Sequence, residues 1–260
     1  MTQLLTLGAM GQVILFAILP ARYSLLPAVA LFLQSVGSIV LQTLSPSSNT
    51  YAHGVVYNRS SAQLPAASYN PAKEGSLFGS KPAASGVVVL LLGFRITKPL
   101  GLFSPGGKEL GAHFADCNKR LFERAQDFGC VGNSSWTAQE AANNNSVMSV
   151  YYFRDVEGLN RFAHDPVHRQ AWDWYNSVTK KLGYTHLGIF HETYYSAPGQ
   201  YETIYVNIPP LLMGATNVQT KNEVTGKDEW VRPLVSAENS TLRSQWGRMG
   251  RAVNEDGEAY

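Results

Sequence analysis

Residues 86–96 read GVVVLLLGFRI. A strand with one wet face alternates apolar and polar residues, so a run this continuous in β-branched and leucine side chains predicts a strand buried on both faces. After a Pro/Gly loop, a helix is predicted from Lys108 to Phe128. Leu110, Phe114, Cys117, Leu121, Ala125 and Phe128 recur there at steps of three and four, which puts them on one stripe that packs on the sheet.

Further along, Ser134–Gln139 reads as a short strand, the asparagines 143–145 as a turn, and Val147–Phe153 as an aromatic strand of alternating pattern. Val156–Leu182 is a second helix, with Leu159, Phe162, Ala171, Trp174 and Val178 on its apolar side. Pro166 is expected to kink it or split off its first turn. Thr185–Tyr195 and Tyr201–Ile208 follow as strands. The order β-α-β-β-α-β with one added strand is that of a ferredoxin-like split βαβ domain, an α+β fold. Helices then cover one face of the sheet. The other, rich in aromatics, calls for a second copy to cover it, so a homodimer sharing an α+β barrel is expected.

Before this domain, residues 4–19 and 24–44 are apolar and uncharged, broken by Pro20, Ala21, Arg22 and Tyr23. A helix needs about 20 residues, and no fewer than about 17, to cross a bilayer. The segments are expected to form a transmembrane hairpin, making the chain a multi-pass membrane protein of an endomembrane such as the endoplasmic reticulum, in contact with lipid. A cleaved signal peptide fits less well, because no basic residue precedes Leu4. The expected plan is two apolar segments over 1–44, a linker over 45–85, the ferredoxin-like domain over 86–216 and a polar tail over 217–260.

Net charge is +2, from 21 basic and 19 acidic residues. That balance lacks the broad basic surface of phosphate-backbone binding, so nucleic acid is excluded as a partner. Cys117 and Cys130 offer neither a disulfide framework nor a CxxC metal site. Asn58, Asn133, Asn144 and Asn239 open Asn-x-Ser/Thr sequons, relevant to a lumenal domain.

The runs RFAHDPVHRQAWDWY (161–175) and GIFHETYYSAPGQYETIYVNIPPLLMGAT (188–216) resemble a fungal family of small membrane-associated monooxygenases. It is the family typified in the fumagillin pathway, within the wider group of antibiotic-biosynthesis monooxygenases with dimeric α+β barrels. The resemblance implies oxygenation of a polyketide- or terpenoid-like intermediate in secondary metabolism, with molecular oxygen as co-substrate and without flavin or P450 haem.

Candidate chemistry centres on His191 and Glu192. Adjacent strand residues face opposite sides, so one points to the barrel cavity and the other to the helices. The pair is not part of an HExxH, which excludes a zinc protease. His191 is the preferred acid/base, since imidazole exchanges protons near neutral pH; the alternative is a histidine with a purely structural role. His164 and His168 stand at i, i+4, a metal-ligand spacing that Pro166 disturbs, and are assigned to substrate binding or a helix-start network rather than to a metal. Trp136, Tyr152, Tyr194 and Tyr205 are expected to line an apolar substrate cavity or to pack in a core or interface. Asn207, on the same strand face as Tyr205, is placed to hold a substrate oxygen. No GxGxxG follows a strand. Two rivals stay open: a dehydratase or cyclase on the same barrel, with haem as the alternative cofactor, and a non-catalytic membrane-bound carrier.

Overall fold

The computed structural model describes residues 2–20, 23–138 and 145–251. Parts of two expected features, the break at Pro20–Tyr23 and the asparagine turn with its Asn144 sequon, lie outside the described residues, as does the end of the tail. The chain divides into two compact units, Met1–Val55 and Val56–Tyr260.

The first unit holds α1 (Thr2–Ile18) and α2 (Leu26–Leu44). Gln12 of α1 donates to the Ser24 carbonyl at 2.9 Å. At the far end of α2, Gln42 accepts from the backbone N–H and hydroxyl of Thr50, at 3.0 and 2.8 Å. Leu31, Phe32, Leu33, Ile39 and Leu41 are all exposed. Among the described residues α2 is the one helix long and apolar enough to cross a membrane; the apolar part of the first, Thr6–Ile18, is too short. The expected pair of transmembrane segments is therefore corrected to one candidate span, and a multi-pass topology is not supported.

The second unit is α+β. It begins with β1 (Val56–Ala62) and the short β2 (Ser68–Tyr69), then β3 (Val87–Ile96), α3 (Gly107–Glu123), α4 (Ala125–Phe128), β4 (Cys130–Thr137) and β5 (Ser146–Phe153). There follow α5 (Val156–Ala163), α6 (Pro166–Lys181), β6 (Leu187–Ser196), β7 (Tyr205–Ile208), β8 (Val218–Asn222), β9 (Asp228–Val231), β10 (Leu234–Ser236) and α7 (Gln245–Arg248). The main sheet runs β4-β5-β3-β6 and is antiparallel throughout. With α3 after its first strand and α5–α6 after its third, that is the ferredoxin-like order.

β3 earns its central place by burying both faces. Val88, Leu90, Phe94 and Ile96 turn toward the helices and pack with Leu110, Leu121, Phe128 and Phe162. Val87, Val89 and Leu91 turn the other way, onto Ala62, Leu64, Met213 and Val218. The chain itself thus covers much of the face that the sequence reading left for a partner. Its cover comes from the segment expected to be a linker and from the expected tail. β1 is the middle strand of a second sheet, β10-β1-β7, and β8 pairs with β2 and β9 in a third. The added strand β7 belongs to that second sheet, not to the main one.

The long second helix is divided as Pro166 dictates. α5 ends at Ala163, and Asp165, 4% exposed, caps α6 by accepting from the Val167 N–H at 3.0 Å. Arg120 of α3 pairs with the same carboxylate at 3.1 Å, and Arg124 lies 3.6 Å away.

Candidate functional site between sheet and helices

A cavity of about 360 Å³ opens between the helix-facing side of the main sheet and α3 and α6. Leu90, Leu92 and Ile189 form its floor, and Leu110, Phe114 and Leu121 one wall. Its size and apolar lining suit a small hydrophobic ligand. The polar side chains among its lining include His113, Cys117, Asn118, Tyr151, His168, Arg169 and His191.

His168 sits in the first turn of α6. Its Nδ1 lies 2.9 Å from the Ala163 carbonyl. A carbonyl oxygen only accepts, so Nδ1 carries the proton and Nε2 keeps its lone pair. Burial lowers the pKa of the ring, with the Arg169 charge acting in the same direction and the Ala163 hydrogen bond opposing it. His168 is therefore a neutral imidazole at pH 7, and its Nε2 has no hydrogen-bond partner among the described residues. His191 reaches the cavity from the sheet, where it stands beside Leu92 and faces the helices, and is exposed.

Tyr151 donates its hydroxyl proton to Asn118 Oδ1 at 2.5 Å, and burial pushes the phenol up to about 12, so it remains a donor. With its carbonyl occupied, Asn118 has its amide N–H groups left to offer. Burial likewise pushes the Cys117 thiol up to about 11, which removes it as a nucleophile. His113 packs against Trp174 at a tilt of 40°, with ring centroids 4.6 Å apart. Among the described residues no group of three or more His, Cys, Asp or Glu is placed to hold a metal ion.

Only part of the predicted constellation gathers here. His191 and His168 line the cavity, whereas Glu192 pairs opposite Leu91 on the other face, where Tyr194 donates a short hydrogen bond to it. Trp136 and Tyr152 also face away from the helices, Trp136 exposed and Tyr152 in the core. Tyr205 and Asn207 lie on β7, outside the main sheet. The Tyr205 hydroxyl accepts from the Gly214 N–H at 3.1 Å. Asn207 has φ +51° and accepts from the Asn58 N–H at 2.9 Å, at the irregular end of the β1–β7 pairing. It is not among the residues that line the cavity. His164, exposed, uses Nδ1 on the Asn160 carbonyl at 2.8 Å. The two histidines of the i, i+4 pair are thus parted by the helix break.

Over residues 87–213 the chain matches the family described as Monooxygenase af470-like. It is 35% identical over 251 residues to Monooxygenase af470 of Aspergillus fumigatus, across 96% of this chain and 87% of that relative. The chain belongs to the monooxygenase af470-like family. It is accordingly an enzyme of monooxygenase type.

Solved structures similar to this af470-like chain include an aldoxime dehydratase, 19% identical with a TM-score of 0.39, over 51% of this chain and 37% of that one. SnoaB, described as a cofactor-independent oxygenase from Streptomyces nogalater, is 13% identical with a TM-score of 0.30, over 42% of this chain and 92% of that one. The family-matched residues of the af470-like chain contain every cavity residue named above, but not β1, β8, β9 or β10.

Proposed function

We propose that this enzyme oxygenates a small apolar, polyketide- or terpenoid-like metabolite in the cavity between sheet and helices, with molecular oxygen as co-substrate and no flavin or metal. The observation that carries the reading is His168: a neutral imidazole on the wall of an apolar cavity, its Nε2 without a hydrogen-bond partner among the described residues. Its Nε2 takes an acidic C–H proton next to a carbonyl or phenol, and the Asn118 amide holds the resulting oxyanion. The electron-rich anion passes one electron to O2. The radical pair combines to a peroxide, which loses water to leave a carbonyl. The sum, CH2 plus O2 giving C=O plus H2O, balances without an external reductant. The dry walls protect the intermediates.

His191, exposed at the sheet side, serves as the second proton-transfer group. α2 acts as a single membrane anchor, which brings the enzyme to apolar substrates in the lipid. A second copy covers the part of the outer sheet face that remains exposed, at Trp136, Phe190 and Tyr194.

The test is oxygen uptake and product mass under 18O2 with the purified full-length enzyme and enolisable candidate intermediates, beside His168→Ala and His191→Ala. The expected result is one labelled oxygen per product and a loss of about 10²–10⁴-fold in rate for His168→Ala, the usual contribution of a positioned base. Unchanged uptake in His168→Ala sinks the assignment of the base, and ligand binding without uptake favours the carrier. A backbone-bonded Nδ1 with Nε2 open is also how metal-bound imidazoles are held. A Soret band in the purified enzyme would shift the reading to haem.

A further inference from the structure

The charge of the cavity is one-sided. Among the described residues that line it, Arg169 is the permanent cation and there is neither aspartate nor glutamate. Arg120, Arg124 and Arg248 each have a carboxylate within ion-pair distance. The Arg169 backbone N–H donates to the Asp165 carbonyl at 3.0 Å, but its guanidinium forms no ion pair or hydrogen bond with the described residues, although Asp173 stands four residues further along the same helix.

The surroundings of Arg169 explain why that matters. It follows His168 directly, and its charge is felt at that ring. Trp172, the next residue along the same face of α6, also lines the cavity, is 49% exposed, and stacks on Tyr175 with centroids 5.7 Å apart. The mouth thus sets an unpaired guanidinium beside a flat aromatic surface. A wholly apolar ligand sealing that mouth would strip water from Arg169 and return nothing for it. A carboxylate would return a charge-assisted, bidentate pair, for which guanidinium geometry is suited.

We propose that the metabolite bound in this cavity carries a carboxylate that docks on Arg169 at the mouth, while its apolar body extends inward past Leu90 and Phe114. This rests on the reading of the cavity as the substrate site. It also constrains the chemistry: the anchored acid fixes which carbon of the body lies beside His168, so Arg169 selects position as well as affinity.

Two fluorescent polycycles that differ in one group test it, 9-anthracenecarboxylic acid and 9-anthracenemethanol, titrated into the full-length enzyme and into Arg169→Gln. Arg169 is exposed, so the variant is expected to fold. The acid is expected to bind the parent about tenfold or more tightly than the alcohol. The preference should weaken with salt and disappear in Arg169→Gln, with the alcohol unaffected. Equal binding of the two probes to the parent, or a preference that survives in Arg169→Gln, overturns the proposal and leaves the cavity as a substrate site. Binding of neither probe overturns the cavity itself, and with it the proposed function.

Discussion

Replacing Asp165 by alanine removes the group that fixes the junction between α5 and α6. Two losses add. The cap on the Val167 N–H is worth about 1 kcal/mol. A charge-assisted bond such as that to Arg120 is worth about 1.5–3 kcal/mol where both partners are buried. The Arg120 side chain is 31% exposed and rehydrates when freed, so about 1–2 kcal/mol is the better figure. Arg124, 3.6 Å away and 43% exposed, adds little. The sum is about 2–3 kcal/mol, which for a unit of this size lowers Tm by roughly 4–12 °C. Thermal unfolding followed by near-ultraviolet circular dichroism measures it. Asp165→Asn separates the components, since asparagine still caps and loses only the charge, and should cost about 1–2 kcal/mol. Stabilities of both variants within about 0.5 kcal/mol of the parent would refute the reasoning. Because the His168 ring is tied to the Ala163 carbonyl across this junction, both variants should also lower kcat more than they raise KM.

The lowered pKa of His168 predicts a pH dependence of stability with a definite sign. Between its native value and the unfolded value of about 6.5, the unfolded chain binds a proton that the native protein refuses, so stability falls as pH drops through that window and levels off below the native value. Urea midpoints from pH 5 to 8 should show this slope in the parent and a shallower one in His168→Gln. For the proposed dimer, Phe190→Asp places a charge on the exposed outer face beside Gly93. Light scattering should show the mass in detergent fall to that of a monomer, and a parent that is already monomeric refutes the shared face.

The main sheet was legible because its signals are apolar and periodic. The β3 run, the α3 stripe and Pro166 lead to the observed ferredoxin-like order with shifts of a few residues. β1 was hidden for a physical reason. Its sequence, VYNRSSA, buries Ser60, Ser61 and Ala62, and its inner end is satisfied by Thr203, whose hydroxyl accepts from the Ala62 N–H at 2.7 Å and lies 3.2 Å from the Ser61 hydroxyl. Hydrophobic periodicity cannot register a strand buried by hydrogen bonding, with partner strands that begin at Tyr205 and Leu234. The site was half legible. His191 and His168 stand out as histidines and line the cavity, whereas the aromatics Trp136, Tyr152 and Tyr194 lie on the opposite face of the sheet. His113 and Asn118 flank the α3 stripe, one on each side of Cys117, and that adjacency to an apolar stripe was the available signal.

The position of β1 has a bearing on inheritance and engineering. The family-matched block begins at residue 87, yet the strand between β7 and β10 is supplied from upstream of it. A truncation made at the block's N-terminal boundary would leave β7 and β10 each with a raw edge, unpaired along the side that β1 had closed. The smallest portable module of this enzyme therefore starts at Val56, so any chimera that exchanges activity between relatives must carry β1 along with the cavity it never touches.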